Sequence, residues 1–183
     1  KSGVKNLTLY AFSTENWNRP ADEIDYLMKL LEKYLWQGID SFNKERVKVR
    51  VIGQRERLPE SLKKVIEKVE KLTINNNEFH LNLAVSYGGK WDILNAVKNI
   101  VKEGIEPDKI DEKLFENHLS TAGLPAPDFI IRAGGEMRMS NFVLWQAAYS
   151  ELYFSPKLWP DFTKQDLDIA LAEFDSRQRR FGK

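Results

Sequence analysis

The segment DFIIRAGGEMRMSNFVLWQAAYSELYF, starting at Asp128, sets Arg132, Glu136, Arg138, Ser140 and Glu151 among glycines and aromatics. Each arginine offers a planar fork of N–H donors suited to phosphate oxygens. Gly134 and Gly135 permit close backbone approach. Ser140 adds a hydroxyl, and a helix starting near it would add partial positive charge. The sum is an anion pocket best matched to a diphosphate; the same residues would equally form surface ion pairs with neighbouring acids. Glu151 stands in an apolar setting, where an unpaired carboxylate is costly to bury. It is either a Mg²⁺ ligand, since Mg²⁺ usually takes one or two carboxylates plus phosphate oxygens, or the partner of one of those arginines.

A second cluster lies in STENWNRP, where Ser13, Asn16 and Arg19 surround Trp17. It reads as a mobile lid whose tryptophan covers an apolar ligand, or as a polar loop with Trp17 packed back on the core. Other chemistries are excluded. The chain has no cysteine, so thiolate catalysis and thiolate metal sites are absent. Neither His80 nor His118 has metal-ligand spacing. A net charge of +1 gives no reason to expect nucleic-acid binding. Arg177, Arg179 and Arg180 read as a solvated C-terminal face, with attraction to anionic headgroups as the rival.

These clusters need a scaffold. The 183 residues, 42% hydrophobic and 30% charged, suit one globular domain. Strand-like runs at Leu7–Phe12, Val47–Gly53, FHLNLAVSYGG and DFIIR alternate with helical patterns. The first helix carries Ile24, Leu27, Met28, Leu31, Leu35, Ile39 and Phe42 between Ala21 and about Lys44. Its stripe is core packing or the wall of a hydrocarbon tunnel. Pro59 opens a second helix, Trp91 to Val101 a third, and Asp111–Ser120 a shorter one. In VLWQAAYSELYF a helical turn and a short ELYF strand are expected. Thr163 with Asp166 resembles a capping box for a last helix. Such alternation predicts α/β architecture: a single domain with a mostly parallel central sheet flanked by helices. In such sheets ligands sit beyond the carboxyl ends of the strands, so the loops STENWNRP, SYGGKWD and RAGGEMRMSN should converge. No apolar run approaches the ~20 residues that span a bilayer.

The stretches YAFSTENWNRP, YGGKWDI, IIRAGGEMRMSNFVLWQAAYSELYF and LWPDF, in matching order from Leu7 to Gly182, together resemble the cis-prenyltransferases of the bacterial undecaprenyl diphosphate synthase type. The resemblance implies repeated addition of isopentenyl diphosphate to farnesyl diphosphate with cis stereochemistry. The long polyprenyl diphosphate made this way serves as a carrier for cell-wall precursors. It implies a homodimer, Mg²⁺ dependence, and a cytoplasmic enzyme touching the inner face of the membrane to release product. It places Arg132, Arg138, Met139 and Ser140 on the isopentenyl diphosphate, Glu151 at Mg²⁺, and Ser13, Thr14, Glu15, Asn16, Trp17 and Arg19 in a substrate lid. Asn16 matches a residue often assigned as proton acceptor; a neutral amide is a poor base, so orientation of substrate is the expected role.

The sequence also departs from that family. Its first βα unit, with an Asp-Gly-Asn-Gly-Arg loop, has no counterpart, and KSGVKNLTLYAF opens without Met, as if inside a domain. A chain starting at Lys1 is therefore expected to be inactive alone. Ala133, Ser86 and Lys90 stand where Thr, Asn and Arg are common. The alternative function is a catalytically silent subunit that stabilises an active partner.

Overall fold

The computed structural model describes residues 3–178, so Arg179 and Arg180 lie outside the described residues. The chain divides into two compact units, Gly3–Ala122 and Gly123 onward. The first unit runs β1 (Asn6–Ser13), a 3-10 turn (Thr14–Asn18), α1 (Ala21–Lys44), β2 (Val47–Ile52), α2 (Glu60–Thr73), β3 (Phe79–Tyr87), α3 (Gly89–Lys102) and α4 (Glu112–His118). Its strands form a parallel sheet in the order β1-β3-β2. His80 on β3 stands opposite Asn6 on one side and Lys48 on the other.

The helical stripe of α1 is core packing. Met28 and Leu35 are buried with Val49, Val51, Leu62 and Ile66, and Ile24, Leu27, Leu31 and Ile39 pack against them. Leu62 is fully buried, so its truncation to alanine should cost about 2–5 kcal/mol. α3 and α4 close a second cluster through Ala96, Ile100, Phe115 and Leu119. Gly53 is confined to glycine: its φ is +123°, and a Cβ there would sit 2.1 Å from the Val85 carbonyl oxygen.

The outer edge of β2 is closed by side chains. The Val49 N–H donates to Thr73 Oγ1 at 3.1 Å and the Val51 N–H to Glu70 Oε1 at 2.8 Å. Arg55 donates to the Val51 carbonyl at 2.7 Å, and Asn76 Nδ2 to the Val47 carbonyl at 2.9 Å. A strand edge so occupied is a poor template for pairing with another chain.

The second unit holds β4 (Phe129–Arg132), β5 (Glu151–Phe154) and α5 (Lys164–Ser176). The two strands pair in parallel, with Arg132 opposite Phe154. The Phe129 and Phe174 rings, 4.9 Å apart, join α5 to the strands. The expected capping box starts α5: Thr163 Oγ1 accepts from the Asp166 N–H, and the Asp166 carboxylate accepts from the Thr163 N–H. The ELYF strand is as expected, and so is the helical turn before it: the Ala147 N–H donates to the Val143 carbonyl, four residues back, at 2.9 Å. Ahead of that turn Ser140, Asn141 and Val143 take φ of 47°, 64° and 37°, so no regular helix starts at Ser140. Left-handed residues cannot continue a right-handed helix. No helix N-terminus therefore reinforces Ser140.

Candidate active site

In the first unit the site residues leave the carboxyl end of β1. The register slips around Phe12, a bulge that turns Phe12 into the core at 3% exposure and starts the 3-10 turn at Ser13. Ser13 and Asn16 cap each other. Asn16 Oδ1 accepts the Ser13 N–H at 2.8 Å, and Ser13 Oγ accepts the Asn16 N–H at 3.3 Å. The Asn16 carbonyl oxygen is thus engaged, leaving Nδ2, a donor, as its outward chemistry. Thr14 bonds Glu15 at 3.1 Å. Arg19 pairs with Glu23 one turn on, at 2.6 Å.

Trp17 takes the second of its two sequence readings. It packs against the core cluster, its Nε1–H donating to Ser86 Oγ at 2.8 Å. Its ring meets Phe12 edge-on with centroids 5.1 Å apart. The loop after β1 thus meets the carboxyl end of β3, as adjacent parallel strands allow. Nearby, the Tyr10 hydroxyl donates to the Tyr87 carbonyl at 3.1 Å. Burial first, then the Glu15 charge, pushes its pKa up to about 12, so it remains a proton donor.

Asp92, which ends the SYGGKWD loop, and Arg50 are not singled out as site residues by sequence alone. Asp92 is 1% exposed, accepting from the Tyr87 hydroxyl at 3.0 Å and the Ser120 N–H at 2.8 Å. Arg50 places its fork on the Ser120 and Ala122 carbonyls at 2.8 and 2.7 Å. Burial lowers its pKa. Together they fix the turn after α4, using partners that lie far away in sequence.

In the second unit Arg132 ends β4, and Arg138 follows the Gly134–Gly135 turn. Both guanidiniums donate to Glu136, Arg132 to Oε2 and Arg138 to Oε1. This is the ion-pair reading of the sequence, yet it brings the two forks to one point. Arg132 Nε is buried and has no acceptor among the described residues. The glycine N–H groups do not face an anion: Gly134 donates to the Lys157 carbonyl at 2.7 Å and Gly135 to the Ser155 carbonyl at 2.9 Å. Met139 closes a turn through its carbonyl, which accepts the Phe142 N–H at 3.1 Å.

Glu151 opens β5 and pairs with Arg177 at 2.8 Å. That partner is neither of the arginines expected. Arg177 is only partly solvated: its side chain is 27% exposed and also donates to the Leu152 carbonyl at 3.0 Å. Bonding to Glu173 and then Glu151 raises its pKa. Among the described residues no group of three or more His, Cys, Asp or Glu is placed to hold a metal. Glu151 fits Mg²⁺ only as a single carboxylate completed by phosphate oxygens.

Comparison with known proteins gives a consistent result. The family described as "Putative undecaprenyl diphosphate synthase" matches residues 1–182. An isoprenyl transferase of Chlorobaculum tepidum is 48% identical over 99% of this chain and 70% of its own length. The Escherichia coli ditrans,polycis-undecaprenyl-diphosphate synthase ((2E,6E)-farnesyl-diphosphate specific) is 46% identical over 99% of this chain and 73% of its own. The crystal structure of lavandulyl diphosphate synthase from Lavandula x intermedia, in complex with dimethylallyl diphosphate, superposes with a TM-score of 0.93 at 43% identity, covering 99% of this chain and 80% of that one. The parallel α/β fold, the paired arginines and these matches agree, and the chain belongs to the undecaprenyl diphosphate synthase family of cis-prenyltransferases.

Proposed function

We propose that residues 1–183 act as one catalytic domain that condenses isopentenyl diphosphate onto farnesyl diphosphate, with cis stereochemistry, to give a long polyprenyl diphosphate. Undecaprenyl diphosphate is the product that the relatives' names support, and its proposed use is as a carrier lipid for cell-wall precursors. The observation that carries this reading is the convergence of Arg132 and Arg138 on one carboxylate, with the buried Arg132 Nε–H lacking an acceptor. A diphosphate lodged there would satisfy that donor and receive charge-assisted bonds from both forks.

The chemistry divides among the residues. The isopentenyl alkene attacks the allylic carbon, the carbon–oxygen bond to diphosphate breaks, and a proton leaves the new chain. Arg132 and Arg138 hold the isopentenyl diphosphate, with Ser140 adding a hydroxyl and Met139 shaping the turn between them. Ser13, Thr14, Glu15, Trp17 and Arg19 border the allylic substrate. Asn16 Nδ2 orients a diphosphate oxygen by donation and takes no proton. A diphosphate or carboxylate oxygen accepts the proton instead. Glu151 would hold Mg²⁺, which when bound neutralises charge developing on the departing diphosphate.

A homodimer completes the proposal. Met137 at 78% exposure, Leu158 at 62% and Trp159 at 63% provide apolar surface for a second copy. No helix among the described residues is long and apolar enough to cross a membrane. We place the enzyme in the cytoplasm, touching the membrane surface where its insoluble product departs. The test is incubation of the full-length gene product with farnesyl diphosphate, labelled isopentenyl diphosphate and Mg²⁺. Butanol-extractable long product that disappears on chelation and on Glu151→Gln supports the assignment. No such product would leave a silent, partner-stabilising subunit.

A further inference from the structure

Trp17 is gripped by side chains from three separate segments. Ser86, near the end of β3, accepts its indole N–H at 2.8 Å. Phe12 of β1 meets the ring edge-on. Arg57, in the turn after β2, stacks its guanidinium over the indole with Cζ 4.6 Å from the centroid. Ser86 has no exposed surface and a φ of +52°, a left-handed conformation that side chains other than Gly and Asn rarely adopt. Its carbonyl is also committed, accepting the Gln54 N–H at 3.1 Å. The hydroxyl is therefore fixed in place by backbone on either side. A half-buried indole N–H needs an acceptor, and Ser86 provides one at the cost of a strained backbone.

We propose that Ser86 and Arg57 are positioning residues that hold Trp17, and with it the Ser13–Arg19 segment, in the substrate-ready position. Neither needs to touch substrate. Ser86 ties down the buried rim of the indole, and Arg57 presses on its face from the exposed side. Asn16 immediately precedes Trp17, so the placement of its Nδ2 follows from the same grip. Opening the segment requires breaking the indole–Ser86 bond and lifting the ring from Arg57. This proposal rests on the reading that Ser13–Arg19 borders the allylic substrate.

Three substitutions at Ser86 separate the hydroxyl from the strained backbone. Ser86→Gly removes the acceptor and tolerates the positive φ. Ser86→Ala removes the acceptor and keeps the strain. Ser86→Asn restores an acceptor on a residue that tolerates the left-handed region. The first readout is the ¹H–¹⁵N indole resonance of Trp17, assigned by its loss in Trp17→Phe. It should lie downfield in the wild type and Ser86→Asn, and move upfield with faster solvent exchange in Ser86→Gly. The second is steady-state kinetics of the full-length gene product. Ser86→Gly should raise KM for farnesyl diphosphate about tenfold while kcat falls less than threefold, as expected when a buried hydrogen bond of ordinary strength is lost. Ser86→Asn should recover most of that change. Arg57→Met, at an exposed position that cannot unfold the core, should raise KM about threefold.

An active wild type with Ser86→Gly kinetics unchanged would overturn the positioning role alone. An unmoved indole resonance in Ser86→Gly would overturn the latch itself. A wild type that makes no product overturns the assigned activity and this proposal with it, and is recognised because it fails before any variant is compared.

Discussion

Arg132 and Arg138 hold the two oxygens of a single carboxylate, Glu136, one oxygen each. Two like charges come to one point only when an anion stands between them. Arg132 is the more buried, with 26% of its side chain exposed against 64% for Arg138. One fork is therefore held within the fold while the other lies largely at the surface.

Replacing Arg138 by alanine should lower kcat/KM for isopentenyl diphosphate about ten- to a hundredfold, since a hydrogen bond to a charged group contributes roughly 1.5–3 kcal/mol. The melting temperature should stay within a few degrees, because the side chain is mostly exposed. Wild-type kinetics in that variant would remove Arg138 from the site.

Asn16 carries two separable groups, the Oδ1 acceptor that caps Ser13 and the Nδ2 donor proposed to meet substrate. Asn16→Ala loses the acceptor for the Ser13 N–H and should destabilise the protein by about 1 kcal/mol, the usual cost of a lost cap. Asn16→Asp keeps the acceptor and should retain that stability while losing the Nδ2 donor. Chemical denaturation should therefore separate the two variants, and turnover should fall in both. An Asn16→Asp variant with full turnover would show that the donor is not used.

The sealed edge of β2 makes its own prediction. Glu70→Ala strips the acceptor from the Val51 N–H and the partner from Arg55, whose pair spans 2.6 Å. The loss should be about 1–3 kcal/mol for the unsatisfied group. Light scattering should also show concentration-dependent association beyond whatever dimer the wild type forms. A variant that is less stable yet stays monodisperse would mean that the edge needs no such protection.

A pH dependence follows from His118. Its Nδ1 lies 2.7 Å from the Leu114 carbonyl and its Nε2 3.1 Å from Glu103. The backbone bond first, then Glu103, raises its pKa above 6.5. A raised folded-state pKa stabilises fully below the unfolded value and is lost as pH climbs through the folded one. The stability difference between wild type and His118→Gln should be larger at pH 5.5 than at pH 8.5. Equal differences at both would remove the protonated histidine from the account.

What the sequence determined by itself was local. Helical spacing from Ile24 to Phe42 placed α1 and its buried face, because a side chain's direction follows from the helix repeat alone. Thr163 and Asp166 announced α5, because a capping box closes within one turn. The Arg132–Glu136–Arg138 group was legible for the same reason, its members lying within a few residues. Tertiary structure decided what depends on pairing across long stretches of chain. Trp17 found Ser86, 69 positions away, and Glu151 found Arg177, 26 away. Left-handed φ values at Ser140, Asn141 and Val143 kept a helix N-terminus away from the Ser140 hydroxyl. No periodicity encodes such partners, since packing selects whichever donor and acceptor the folded backbone brings within bonding distance.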